Sequence, residues 1–264
     1  DLSAKTFNNS TGQLVTSGQL NATVAQALIN QQGLISANEA LSVKTGSLDN
    51  SKGSVASAKD TVSLTATQAF NNQQGQVSAA KALAVSAGSV DNQQGVLSGD
   101  TLELTATTGQ LNNRKGTLLS HANSNINVHG LDNAGGSVHS NGVLSIDTNG
   151  LLLDNQLGKI SANTLAVNSG DIHNQQGLLS ANTQAKIDAG NINSQGGVIQ
   201  AGNSLSLNAA DVNNDEGLIY AQQAALNVQQ LSNQRTKAQE TGIQAEQLRI
   251  SADSLNNNQG QIVS

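Results

Sequence analysis

Apolar and polar positions along this chain follow one phrase: an apolar residue, any residue, Asn, two residues, Gly, any residue, apolar. Leu28-Ile29-Asn30-Gln31-Gln32-Gly33, Leu48-Asp49-Asn50-Ser51-Lys52-Gly53 and Val90-Asp91-Asn92-Gln93-Gln94-Gly95 are three copies. The opening apolar position occurs thirteen times, at Phe7, Leu28, Leu48, Phe70, Val90, Leu111, Leu131, Leu153, Ile172, Ile192, Val212, Leu231 and Leu255, at slightly unequal intervals. Asn follows two residues later in twelve of the thirteen, Ser194 being the exception. Gly follows five residues later in twelve, Thr236 being the exception. Two residues past the glycine comes a second apolar column (Leu14, Ile35, Val55, Val77, Leu97, Leu118), and then a small residue. A third apolar pair closes the copy, as in Leu41-Ser42-Val43, Leu83-Ala84-Val85 and Leu205-Ser206-Leu207. Alternate positions facing inward is the strand period. A repeat of about 20 residues is the mark of a solenoid, whose units bury a core only by stacking on each other.

The pattern predicts three short strands in each copy, each of two to four residues, separated by three bends. Strands that short cannot pair inside a copy, so each must pair in parallel with its equivalent in the next. The expected fold is all-β, a right-handed parallel β-helix of about 20 residues per coil and about 13 coils. It forms one elongated repeat domain over residues 1–264. A leucine-rich repeat would place the apolar residue three positions before Asn; here it stands two before. A hexapeptide helix would need a strict six-residue period, which is absent. The turn ladder is expected at Asn30, Asn50, Asn72, Asn92, Asn113, Asn133, Asn155, Asn174 and Asn214, with Gly33, Gly53, Gly75, Gly95, Gly116, Gly136, Gly158, Gly177, Gly197 and Gly217. The glycine is expected to take positive φ. The Asn is expected to bond the nearby backbone, to tolerate a left-handed bend, and to stack with Asn of adjacent coils.

Composition agrees with a thin core. Aromatic residues are 1% of the chain, with no Trp, one Tyr and two Phe, so the interior must be filled by Leu, Ile, Val and Ala. Proline is absent, as suits a backbone whose donors are committed to ladders. Charged residues are only 11% and the net charge is −6, without a basic stripe, which argues against a nucleic-acid partner. Cysteine is absent, which removes disulfides and thiolate chemistry. No apolar run approaches the length of a membrane span, so no membrane insertion by this segment is expected.

Asn72-Gln73-Gln74-Gly75-Gln76-Val77-Ser78-Ala79 and Asn174-Gln175-Gln176-Gly177-Leu178-Leu179-Ser180-Ala181 resemble the filamentous haemagglutinin repeat over essentially the whole chain. That repeat builds the stalks of two-partner secretion exoproteins, which include haemagglutinin adhesins and the filaments of contact-dependent growth-inhibition toxins. The resemblance implies a secreted protein on the bacterial cell surface. It implies passage of the parent protein through an outer-membrane two-partner secretion transporter, and a distal part aimed at a receptor on a target or host cell. The family's N-terminal secretion domain usually carries an Asn-Pro motif; with no proline here, the segment is expected to be a mid-filament fragment of a longer filament.

Candidate chemistry is sparse. The interval from Leu231 to Leu255 is the longest in the series, and residues 234–242 are expected to protrude as an insertion. Arg235, Lys237 and Glu240 there form a possible recognition loop, with a tolerated surface insertion as the plain alternative. His121, His129, His139 and His173 fall in different columns and are not expected to converge on a metal. Asp132 and Asp154 occupy one column in consecutive coils, where a weak calcium site or two hydrated carboxylates are the alternatives. No catalytic residue, cofactor site or metal site is assigned. The expected function is a non-catalytic structural stalk. A receptor-binding segment of the same filament is the first alternative. A carbohydrate-active β-helix enzyme is the second, disfavoured by the scarcity of aromatics and clustered carboxylates.

Overall fold

The computed structural model describes residues 1–237 and 241–264. The fold is an all-β parallel β-solenoid of about 13 turns spaced about 20 residues apart. Two compact units, Asp1–Leu131 and Asp132–Ser264, are built by the same rule.

Within the first unit the strands pair in parallel with their equivalents in the adjacent coil, and three columns of side chains point inward. One runs Leu14, Ile35, Val55, Val77, Leu97, Leu118. The second runs Ala22, Val43, Leu64, Val85, Leu104, Ile126. The third holds the opening residues Phe7, Leu28, Leu48, Phe70, Val90 and Leu111. Beyond the first coil these positions are buried; Phe70, the largest of them, is 1% exposed. Each buried aliphatic side chain contributes roughly 1.5–3 kcal/mol. The alternating polar positions face outward, so the sequence period becomes the in-and-out period of the wall.

The second unit repeats the three columns. They run Val138, Ile160, Leu179, Ile199, Ile219, Ile243, then Ile146, Val167, Ile187, Leu207, Leu226, Ile250. The third is Leu153, Ile172, Ile192, Val212, Leu231, Leu255.

The strands depart from the short lengths expected. In the first unit the strands that carry the second and third columns fuse, as in Leu20–Ile29, Val62–Asn71 and Ala82–Asp91. The corner between them is a register shift, for example between Val24 and Ala27 or between Ala87 and Ser89. In the second unit the fusion is at a different corner in Ser137–Asp147, Lys159–Asn168 and Leu178–Asp188, returns to the first unit's corner in Ser204–Asn213, and spans both corners in Leu218–Ser232. A bulge bends a strand without ending its ladder, so these corners need no loop. Only the Asn-Gly corner is a true turn throughout.

Candidate functional site

Each Asn-Gly corner is closed by a backbone bond from the glycine to the Asn carbonyl, such as Gly33 N–H to Asn30 O at 3.0 Å and Gly53 N–H to Asn50 O at 2.9 Å. The left-handed residue is the one before the glycine: Gln32 (φ 55°), Lys52 (56°), Gln74 (56°), Gln94 (57°), Lys115 (54°), Leu157 (57°), Gln176 (54°) and Glu216 (61°). Glycine takes that position only as Gly135 and Gly196. The expectation that the repeated glycine, or the Asn, supplies positive φ is therefore corrected. What the glycine supplies is room. A Cβ on Gly53 would collide with the carbonyl oxygen of Asn30 in the preceding coil and would stand 2.6 Å from Asn50 Oδ1. The equivalent collisions occur at Gly33, Gly75, Gly95, Gly116, Gly158 and Gly177. A left-handed L-residue costs roughly 1–2 kcal/mol. It is held there because bonds on both sides fix the turn: Gln32 N–H reaches Ser51 O of the next coil at 3.1 Å.

Inside the turns the Asn side chains bond one another in one direction. In the first unit Nδ2 donates to Oδ1 of the next coil from Asn9 to Asn30, Asn30 to Asn50, Asn50 to Asn72 and Asn72 to Asn92 at 2.7 Å, and from Asn92 to Asn113 at 2.8 Å. In the second unit the bonds run from Asn133 to Asn155 at 2.7 Å, Asn155 to Asn174 at 2.8 Å, Asn214 to Asn233 at 2.8 Å and Asn233 to Asn257 at 2.7 Å. Each amide also serves backbone: Asn30 Nδ2 lies 3.2 Å from Gly33 O and 3.1 Å from Ser54 O of the next coil. Asn30, Asn50, Asn72, Asn92, Asn113, Asn133, Asn155, Asn174 and Asn214 are all fully buried. Buried amides linked head to tail polarise one another, and each is costly to remove because its neighbours lose partners in low dielectric.

One coil departs from this. Asn174 Nδ2 donates to Ser194 Oγ at 3.0 Å. The buried Oδ1 of Asn214, one coil further, has no hydrogen-bond partner. Nothing in the local sequence around Asn214 signals this; it follows from the vertical register that sets it over Ser194.

Outside the turn, carboxylates cap the same corner. Asp49 accepts from Ser51 N–H at 3.0 Å, from Asn71 Nδ2 at 3.1 Å and from Gln31 Nε2 at 2.7 Å. Asp91 is held alike by Gln93, Asn112 and Gln73. Asp132 and Asp154 bind the amides of Ala134 and Gln156 at 3.1 and 3.0 Å. His139 bonds Ser161 Oγ and Asn141 Oδ1, each at 2.8 Å, and His129 Nδ1 contacts Ala106 O at 3.1 Å. Among the described residues, no group of three or more His, Cys, Asp or Glu is gathered as a metal site. At Asp188, burial opposes ionisation. Asn208 Nδ2, at 2.6 Å, and Lys186, at 2.9 Å, outweigh it and draw the carboxyl below its ordinary range.

The long interval before Leu255 is resolved by the register. Gly242 pairs with Leu218, and Ile243 with Ile219, so the regular wall resumes at Gly242. The turn before it is regular through Arg235, which holds the left-handed position at φ 55°. Arg235 Nε donates to Glu216 Oε1 at 2.8 Å, and Nη2 lies 3.4 Å from Asp215 Oδ2. The bond to Glu216 raises the guanidinium above its ordinary value against the opposing effect of burial. Thr236, which replaces glycine, is buried and accepts from Gln261 N–H through Oγ1 at 2.7 Å. Lys237 is exposed, and its amide donates to Gln259 O at 3.2 Å. Glu240, the third residue of the possible recognition loop, lies outside the described residues.

Parallel coils, a three-column aliphatic core and a recurring corner whose polar side chain is buried from Asn9 to Asn233 define a parallel repeat solenoid. The haemagglutinin repeat matches residues 1–73, 58–108, 98–156, 140–196, 162–242 and 230–264, and the chain belongs to this family. No curated protein and no solved structure gives a match.

Proposed function

We propose that this segment is a non-catalytic structural stalk within a secreted, surface-displayed bacterial filament, of adhesin or toxin-delivery type. The observation that carries the reading is the amide ladder. Each coil commits its recurring corner to joining its neighbours, and the outward positions are mostly small, polar and scattered in charge. A wall made this way resists bending, because any bend stretches parallel backbone bonds and the buried amide row together. The parent protein's passage through an outer-membrane two-partner transporter belongs to the same proposal. So does the presentation of a distal part to a receptor on a target or host cell.

The test is removal of whole coils from the parent protein. Deleting residues 51–92 takes out two coils and joins Asn50 to Gln93 in register. A stalk keeps its secretion, folding and surface display after this deletion. Loss of display with the remaining coils folded would count against it. The 264-residue chain alone is expected to show no saturable cell binding. Saturable binding abolished by trimming residues 237–241 would instead establish a receptor-binding segment.

A further inference from the structure

We propose that the corner at Ser194 binds one buried water molecule, which takes the place of the amide nitrogen that Asn supplies in the other coils. At Asn30, Asn50, Asn72, Asn92 and Asn133 one Nδ2 serves three acceptors: the glycine carbonyl of its own turn, the Oδ1 of the next coil, and the carbonyl that opens the next coil's wall. For Asn174 the last is Val198 O, at 3.2 Å. At position 194 the equivalent acceptors are Gly197 O, Asn214 Oδ1 and Leu218 O. Serine has no amide to offer them.

Two observations mark the place. Asn214 is fully buried and its Oδ1 is unpartnered. Around Gly217 the surroundings also change. An ideal Cβ there meets Ser194 O at 2.6 Å, Asn214 Oδ1 at 2.7 Å and Gly197 O at 2.9 Å. At Gly177 the third neighbour is instead the nitrogen Asn155 Nδ2, at 3.0 Å. Oxygens with no nitrogen among them therefore surround the place where the ladder nitrogen would be. Serine has two heavy atoms fewer than asparagine, close to the share of one water, about 30 Å³. Water brings two O–H donors for Asn214 Oδ1 and a carbonyl, and it can accept from the Ser194 hydroxyl. It thus reaches the two to four polar partners a buried water needs. A bare alkali cation fits less well, since every oxygen here is neutral and the desolvation of the ion would go uncompensated.

The experiment compares the full chain with Ser194→Asn by high-resolution crystallography, by water-oxygen magnetic relaxation dispersion and by thermal unfolding. The native chain is expected to show a water within hydrogen-bond distance of Asn214 Oδ1. The variant should show one fewer long-lived water, the introduced amide bonded to Asn214 Oδ1, and a Tm higher by about 2–4 °C. An equal number of long-lived waters in both chains would overturn the proposal. So would a native crystal structure with the site dry, or a Tm that rises with K⁺ or Na⁺ at constant ionic strength. Should the variant not fold, the native crystal structure decides alone.

Discussion

Gly75→Ala isolates the reason for the glycine column. Gly75 is outside the left-handed region, so alanine meets no φ penalty there. Its Cβ, however, would run into Asn50 O and stand 2.6 Å from Asn72 Oδ1 and 3.1 Å from Asn50 Nδ2. Two of the three are atoms of the ladder, and the third is backbone. Relief requires the turn to move outward, which stretches the 2.7 Å bonds from Asn50 to Asn72 and from Asn72 to Asn92. Two lost bonds at about 1 kcal/mol each, with one or two buried amide atoms left unpaired at about 1–3 kcal/mol each, give a loss of about 3–8 kcal/mol. Gly18→Ala is the matched control. No atom lies within 4 Å of its Cβ position and its φ is outside the left-handed region, so it should gain about 0.4–1 kcal/mol through the unfolded chain. Urea unfolding followed by circular dichroism gives both values, and native-state hydrogen exchange over residues 50–77 places the damage. A loss below about 1 kcal/mol for Gly75→Ala, less than a single lost bond with its orphaned partner, would refute the close-approach argument.

Other outcomes follow from the same geometry. Asn92→Ala removes the acceptor of Asn72 and the donor to Asn113, Gly95 O and Thr117 O; a loss of about 3–5 kcal/mol is expected in urea unfolding. Leu157, 66% exposed and at φ 57°, is poorly suited to its place. Leu157→Asn should raise stability by about 0.5–1 kcal/mol, because Asn visits the left-handed region at lower cost; a lower Tm would contradict this. Asp188 titrates below its unfolded value. Its contribution is therefore full above about pH 4 and is lost as pH falls through the folded pKa. Asp188→Asn should flatten the fall in stability between about pH 5 and pH 2, a difference visible in denaturation midpoints.

Much of the fold is legible in the sequence because side-chain direction alternates so strictly along a strand. Leu28, Leu48 and Phe70 share a column on the page and in space. The glycine misleads for a physical reason. Glycine answers two needs, positive φ and close approach, and one sequence does not separate them. The left-handed position is hidden because Gln32, Lys52 and Leu157 share no chemistry; the turn imposes the conformation on whatever residue stands there. Strand fusion is hidden too, since the bulge between Val24 and Ala27 carries no Gly or Pro while the equivalent one between Ala87 and Ser89 carries Gly88, so no single residue type marks the corner. Ser194 is visible as an exception. Its effect on Asn214, one coil away, needs the vertical register, as does the pairing of Arg235 with Glu216.

That indifference of the left-handed position to residue type has a practical consequence. Thr11, Gln32, Lys52, Gln74, Gln94 and Lys115 mark successive coils of the first unit, and the chain contains no native cysteine. A single cysteine introduced at any of them would carry a fluorophore, spin label or crosslinker without disturbing the amide row. Neighbouring attachment points would be about 4.8 Å apart. The molecule thus carries its own graduated scale, against which folding order and stretching can be measured one coil at a time.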